Sequence, residues 1–165
     1  MSVKHCIKVD DFSKNEILDL FELAAELKFK YRNKESYQPF KDHSMAMIFA
    51  KPSARTRVSF ETGFAWMGGH AIYLAPQDIG LGTRESAGDL AQLFSRYNDM
   101  IMARVYSHND MLEFEKHATV PVVNGLTDSD IVEKLNDRDF LVARRTVAKY
   151  RKLLSIKNVN QRIEK

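Results

Sequence analysis

From Met45 to Val123 the chain switches repeatedly between short apolar runs and helix-like segments, and few folds accommodate that grammar. Met45-Ala-Met-Ile-Phe-Ala50, Ala71-Ile-Tyr-Leu74, Met100–Val105 and Val120–Val123 read as strands. Arg55–Met67, Ser86–Tyr97 and Asn109–His117 read as helices, the first closed by Gly68-Gly69. Pro76–Thr83, which holds Gly80 and Gly82, reads as a loop. Upstream, Ser13-Lys-Asn-Glu16 is a capping box. Ile17, Leu18, Phe21, Leu23, Ala24, Ala25 and Leu27 follow with helical spacing, and that helix should end near Tyr31–Asn33. Alternating strands and helices predict a three-layer α/β domain: a parallel four-stranded sheet covered on both faces by right-handed crossovers.

The alternation stops after Asn124-Gly125. Asp128–Leu135 and Ala143–Leu154 then read as two short helices separated by Asn136-Asp-Arg-Asp139. This predicts an α/β domain over 1–126 and a small helix-turn-helix module over 127–165. A length of 165 residues fits one domain with a modest appendage. At 44% hydrophobic and 28% charged, the composition is that of a soluble globular protein. No apolar run approaches the ~18 residues of a membrane span. Met1-Ser-Val-Lys-His-Cys6 lacks an apolar signal core, which predicts a cytoplasmic protein without a membrane partner. Cys6 is the single cysteine, so it forms no internal disulfide and a lone thiol makes no metal site; no cofactor is expected. The net charge of +3 is uneven: residues 126–165 carry 10 Lys and Arg against 6 Asp and Glu. From Val142 onward there are eight basic residues and one acid, Glu164. Such a tail suits a polyanionic partner or a solvated basic face, and charge alone does not choose.

Ala50-Lys-Pro-Ser-Ala-Arg-Thr-Arg-Val-Ser-Phe-Glu61 places cations where a strand ends and a helix begins. In parallel sheets ligands collect at the carboxyl ends of strands. A helix N-terminus adds unpaired N–H groups and partial positive charge. Arg55 and Arg57 add planar donors suited to phosphate oxygens, and Ser53 and Thr56 add short-reach hydroxyls. The plainer reading pairs these arginines with acids on neighbouring helices.

Residues 49–61 resemble the carbamoyl-phosphate signature, usually Ser-Thr-Arg-Thr-Arg, of the aspartate/ornithine carbamoyltransferases. Gly69-His-Ala-Ile-Tyr-Leu74, Ser95–Arg104 and Val120-Pro-Val-Val-Asn-Gly-Leu-Thr127 resemble the ornithine carbamoyltransferase branch. The resemblance covers roughly residues 1–128 and implies the carbamoyl-phosphate-binding half of such an enzyme, truncated and inactive alone. It also implies a homo-oligomer, since the family forms trimers with active sites at subunit contacts. By that resemblance Ser53, Ala54, Arg55 and Thr56 hold the phosphate, with Arg57 in support. Arg104 binds the phosphate and polarises the carbamoyl oxygen, so Arg104, Arg55 and Thr56 carry the catalytic expectation. Three departures stand out. Ala54 replaces the usual threonine, and Gly80 stands where members often carry a Gln or His that reaches the neighbouring subunit's site. Asp128-Ser-Asp-Ile-Val-Glu-Lys-Leu135 replaces the family's His-Pro-x-Gln motif, and no segment resembling the ornithine-binding half follows.

Ala143-Arg-Arg-Thr-Val-Ala-Lys-Tyr-Arg151 resembles the signature box of the sigma fifty-four type RNA polymerase sigma factor. Leu126–Leu135 resembles the first helix of that family's helix-turn-helix. The resemblance implies promoter DNA as a partner, read in the major groove by Arg144, Arg145, Thr146, Lys149 and Arg151, with Tyr150 beside them. Arg145 and Lys149 lie four apart, on one helix face, and suit the groove. Three outcomes stay open at this stage: a carbamoyl-phosphate-binding transferase domain, a DNA-binding protein with an α/β scaffold, and a fusion with neither activity.

Overall fold

The computed structural model of the chain describes residues 3–125. A 3₁₀ turn, Val9–Asp11, precedes α1 (Lys14–Arg32), β1 (Ser44–Phe49), α2 (Ala54–Trp66) and β2 (His70–Leu74). α3 (Pro76–Ile79), α4 (Ala87–Tyr97), β3 (Met100–Arg104), α5 (His108–His117) and β4 (Val122–Asn124) follow. The helix-turn-helix expected over 127–165 lies outside the described residues.

All strand pairings are parallel, in the order β2-β1-β3-β4. Side chains alternate across a strand, so the buried run Met45–Phe49 of β1 feeds two cores at once. Ala46 and Ile48 pack with Leu90 and Ala91 of α4 and with Met111 and Phe114 of α5. Met45, Met47 and Phe49 pack on the other face with Phe64 of α2. The three expected layers follow directly: α2, the sheet, and the α4–α5 pair. After β1 the chain passes to β2 on one side and returns by α4 to β3 on the other. The connection therefore reverses direction between β1 and β3, and it leaves a crevice beyond their carboxyl ends.

Local chemistry explains the element boundaries. At the start of α1, Glu16 N–H donates to Ser13 Oγ (3.3 Å) and Ser13 N–H donates to Glu16 Oε2 (2.8 Å). The Lys4 ammonium, and then these Ser13 contacts, hold the Glu16 carboxyl down to about 2. The chain leaves α2 through Gly68 at φ 89°, a left-handed conformation that glycine adopts without a Cβ penalty.

Three features differ from the sequence reading. Pro76–Ile79, expected as loop, is a helical turn: Pro76 opens it and Asp78 Oδ2 accepts from Ala75 N–H at 2.8 Å. β4 begins at Val122 rather than Val120, because Pro121 has no N–H and enters the ladder only through its carbonyl, which accepts from Ile101 N–H at 2.9 Å. The periodicity of α1 predicts a buried stripe, yet α1 has no buried residue, and Leu18, Phe21 and Phe29 are 49%, 68% and 62% exposed. Ile17 and Leu27 are partly covered, and Leu27 lines a pocket with Val58 and Trp66 of α2.

Two glycines test the packing in opposite directions. A Cβ at Gly69 would sit 2.3 Å from Cε1 of the buried Phe64 ring, whereas one at Gly63, inside α2, meets nothing within 4 Å. Gly69→Ala is expected to cost about 1–3 kcal/mol by overpacking. Gly63→Ala is expected to add about 0.4–1 kcal/mol by restricting the unfolded chain. Urea denaturation of both variants measures the two shifts.

Candidate functional site

The crevice between β1 and β3 is framed by the start of α2 on one side and Arg104 on the other. Phe49 and Arg104 are register partners, and the Arg104 carbonyl accepts from Ala50 N–H at 3.0 Å and from Lys51 N–H at 3.4 Å. Arg104 is thereby tied to the segment that leads into Ser53. On its far side Arg104 Nη1 donates to the Gly125 carbonyl at 3.0 Å, just beyond β4. Its Nη1 is held by a main-chain group, and among the described residues its buried Nε has no hydrogen-bond partner. An unpaired buried donor costs free energy that an acceptor in the crevice would recover.

The start of α2 is built differently from the other long helices. Ser13, Ser86 and Ser107 each cap their helix by accepting a backbone N–H through the side-chain hydroxyl. Ser53 occupies the same position for α2 but makes no side-chain cap; its hydroxyl donates to Thr56 Oγ1 at 3.0 Å. The first backbone bond of the helix is Arg57 N–H to the Ser53 carbonyl, at 3.0 Å. The N–H groups of Ala54, Arg55 and Thr56 lie before that bond and have no cap. The helices α1, α4 and α5 each carry an acid in the first turn, and α2 carries none. Its positive end is therefore uncompensated.

The two arginines of the turn have different settings. Arg55 is exposed, and among the described residues it makes no ion pair. Arg57 donates through Nε to Glu61 Oε2 at 3.0 Å, and its Cζ lies 3.8 Å from the centroid of the Tyr73 ring. The plainer expectation paired these arginines with acids on neighbouring helices; Arg57 instead pairs with Glu61 of its own helix. Gly80 ends α3 at φ 56°, and a Cβ there would approach Arg84 Nε to 2.6 Å. A longer side chain at position 80 therefore requires Arg84 to move.

Sequence reasoning singled out Ser53–Arg57 and Arg104 but passed over Tyr106 and Asp110, which share a pocket with Ala50. Only the parallel register brings those segments together, and no local motif marks them. Among the described residues no group of three or more His, Cys, Asp or Glu is placed to hold a metal. No described helix is long and apolar enough to cross a membrane.

The reversal point, the uncapped helix and the held arginine define an α/β domain with an anion-receptive crevice. The chain belongs to the aspartate/ornithine carbamoyltransferase family: residues 4–130 match its carbamoyl-P binding domain. It is 55% identical over 127 residues to the chloroplastic ornithine carbamoyltransferase of Pisum sativum, covering 76% of this chain and 34% of that protein. The ornithine carbamoyltransferase of Anoxybacillus flavithermus is 47% identical over 127 residues, covering 77% and 40%. Among solved structures, ornithine carbamoyltransferase from Pyrococcus furiosus superposes with a TM-score of 0.74 at 38% identity, covering 84% of this chain and 47% of that one. The enzyme from Burkholderia thailandensis gives 0.73 at 38%, covering 82% and 50%. The chain thus spans a third to a half of the length of these relatives. Residues 99–164 also match the Sigma-54 DNA binding domain. That match overlaps β3, α5 and β4, whose strand–helix–strand order and sheet pairing belong to the carbamoyltransferase fold.

The engagement of Arg57 gives a stability prediction. Arg57→Ala removes a half-exposed i,i+4 ion pair and a cation–π contact, each worth about 0.3–1 kcal/mol. Urea denaturation is expected to show a loss of about 1 kcal/mol, and Arg55→Ala none beyond about 0.5 kcal/mol.

Proposed function

We propose that the described domain binds carbamoyl phosphate, or phosphate alone, and serves as the carbamoyl-phosphate-binding part of an ornithine carbamoyltransferase-like chain. The observation that carries this reading is the uncapped start of α2 at the end of the sheet where Arg104 keeps a buried donor without a partner among the described residues. The open N–H groups and side chains of Ser53, Ala54, Arg55 and Thr56 hold the phosphate, and Arg57 supports the turn that presents them. In the transfer, an amine nitrogen attacks the carbamoyl carbon, the carbon–oxygen bond to phosphate breaks, and the nitrogen sheds a proton. Arg104 stabilises the charge that grows on the carbamoyl oxygen, while Arg55, Thr56 and the helix dipole stabilise the departing phosphate. Ornithine as the acceptor rests on the names of the relatives. A homo-oligomer, a trimer by family resemblance, and a cytoplasmic setting belong to the same proposal, although the pea relative is chloroplastic by name.

The test is isothermal titration of the full-length chain with inorganic phosphate and with carbamoyl phosphate. Arg55→Ala removes a charge-assisted contact worth about 1.5–3 kcal/mol, so affinity is expected to fall at least about tenfold for either ligand. Undiminished phosphate binding by Arg55→Ala overturns the site.

A second reading, supported by the match over residues 99–164, concerns the basic tail. We propose that residues 127–165 form a helix-turn-helix module that contacts promoter DNA through Arg144, Arg145, Thr146, Lys149 and Arg151. Binding to a duplex with the sigma family's GG-containing upstream element is expected to exceed binding to a scrambled duplex. It is also expected to weaken with salt, with a log–log slope near −0.9 per phosphate neutralised. Fluorescence anisotropy across a salt series measures both. Equal affinity for the two duplexes reduces the tail to a nonspecific basic surface.

A further inference from the structure

The sheet ends at β4, and there the N-terminal segment closes its edge, which would otherwise offer unpaired main-chain groups. Cys6 bridges to Val123 in parallel fashion. Cys6 N–H donates to the Val122 carbonyl and Asn124 N–H donates to the Cys6 carbonyl, both at 2.8 Å. The Asn124 side-chain amide donates to the Ile7 carbonyl at 3.0 Å, and the buried Ile7 side chain enters the core shared with α4 and α5. One link in this closure differs in kind. A continued parallel ladder would give the Val122 N–H a main-chain carbonyl, that of Lys4. Instead it donates to Nδ1 of the half-buried His5 ring, at 3.2 Å. A ring nitrogen that accepts a hydrogen bond carries no proton, so this bond requires neutral imidazole in the Nε2–H tautomer. Protonation turns Nδ1 from acceptor into donor and sets it against the Val122 N–H.

We propose that His5 makes the closure of the β4 edge a pH-sensitive latch, locked by the neutral ring and released when Nδ1 takes up a proton. Because only the neutral ring makes the bond, its contribution is full above the imidazole range and is lost as pH falls through it. The other titratable groups of the segment are Lys4, Cys6 and Lys8. Asp11 of the 3₁₀ turn accepts from the N–H groups of Ile7 and Lys8 at 2.8 Å, and Glu16 of α1 pairs with Lys4. Burial and then Asp11 push the Cys6 thiol up, and the Glu16 carboxyl is held down to about 2, so neither changes charge in the imidazole range. Residues 118–124, on the other side of the pairing, contain no titratable side chain; Lys116 and His117 precede them at the end of α5. β4 ends one residue before Gly125, whose carbonyl holds Arg104 Nη1, so the latch borders the frame of the candidate site. It does not rest on phosphate binding there, because every bond in it lies at the sheet edge.

The experiment uses the full-length chain and amide hydrogen exchange read by two-dimensional NMR, corrected for the intrinsic rate at each pH. Between about pH 7.5 and about pH 5.5, across the ordinary imidazole range, protection at Val122, Cys6 and Asn124 is expected to fall about fivefold or more. Met47 in the central strand is expected to keep its protection. His5→Asn places a non-titrating acceptor oxygen near the Nδ1 position, and its protection is expected to be equal at the two pH values. His117→Gln removes the imidazole at the end of α5 and is expected to behave as the parent does. The proposal is overturned if protection in the parent does not change with pH, if the loss stops at Val122 or reaches Met47 equally, or if His5→Asn shows the parent's fall. It is overturned too if His117→Gln abolishes that fall. Should His5→Asn lose its dispersed spectrum, long-range proton–nitrogen spectra of the parent's imidazole decide instead: a bare Nδ1 at about pH 7.5 supports the latch, and an Nδ1–H tautomer overturns it.

Discussion

The candidate site of the described domain depends on the pairing of β1 with β3 at their carboxyl ends. The Arg104 carbonyl accepts from both Ala50 and Lys51, so the backbone just before Ser53 is fastened to Arg104. From the other side the Gly125 carbonyl holds Nη1, while Gly125 N–H donates to the Ala103 carbonyl at 2.7 Å. The arginine and the helix start are thus two ends of one hydrogen-bonded frame across three strands. A frame made of main-chain bonds needs no side-chain reorganisation to present charge, which is what electrostatic preorganisation requires.

The same frame explains why one core must serve two faces. β1 has no exposed position from Met45 to Phe49, and its small Ala46 lets α4 and α5 approach while Met45, Met47 and Phe49 fill the wider space toward α2. The uncapped start of α2 carries a cost that the other helices avoid with a serine hydroxyl. The strong packing of Phe64 and the Arg57–Tyr73 contact tie the helix down independently of its first turn. Stability and the open, uncapped end are supplied by different residues of one helix.

Much of this was legible in the sequence because the signals are local. Ser13 and Glu16 announce a helix within four residues, and both cap bonds form. The apolar runs at Met45, Ala71 and Met100 became strands within a residue of their expected ends. The parallel sheet followed from alternation alone. What escaped the reading was long-range or context-dependent. Cys6 bridges to Val123, and Asn124 donates through its side chain to the Ile7 carbonyl at 3.0 Å, pairings across more than a hundred residues that leave no local mark. The turn at Pro76 was hidden by its brevity, although a proline followed by Asp78 two residues later was a readable cap. At the site, the signature segment and Arg104 were legible by resemblance. The pairing of Arg57 with Glu61 lies within the spacing of one helix, but that Arg57 would also lie over Tyr73 depends on where β2 lies, which spacing does not encode.

The chain has a single tryptophan, Trp66, and it stands at the seam between α1 and α2. Tyr31 of α1 meets its ring edge-on at 5.4 Å, and Tyr37 lies 6.2 Å away. Emission from this indole is therefore a gauge of how α1 rests on α2, with two phenols positioned to feed it excitation energy. The sheet and its crevice, fully enclosed at Phe49, contain no such lamp. Light from this protein reports the attachment of its least buried helix, and the state of the anion site must be followed by other means.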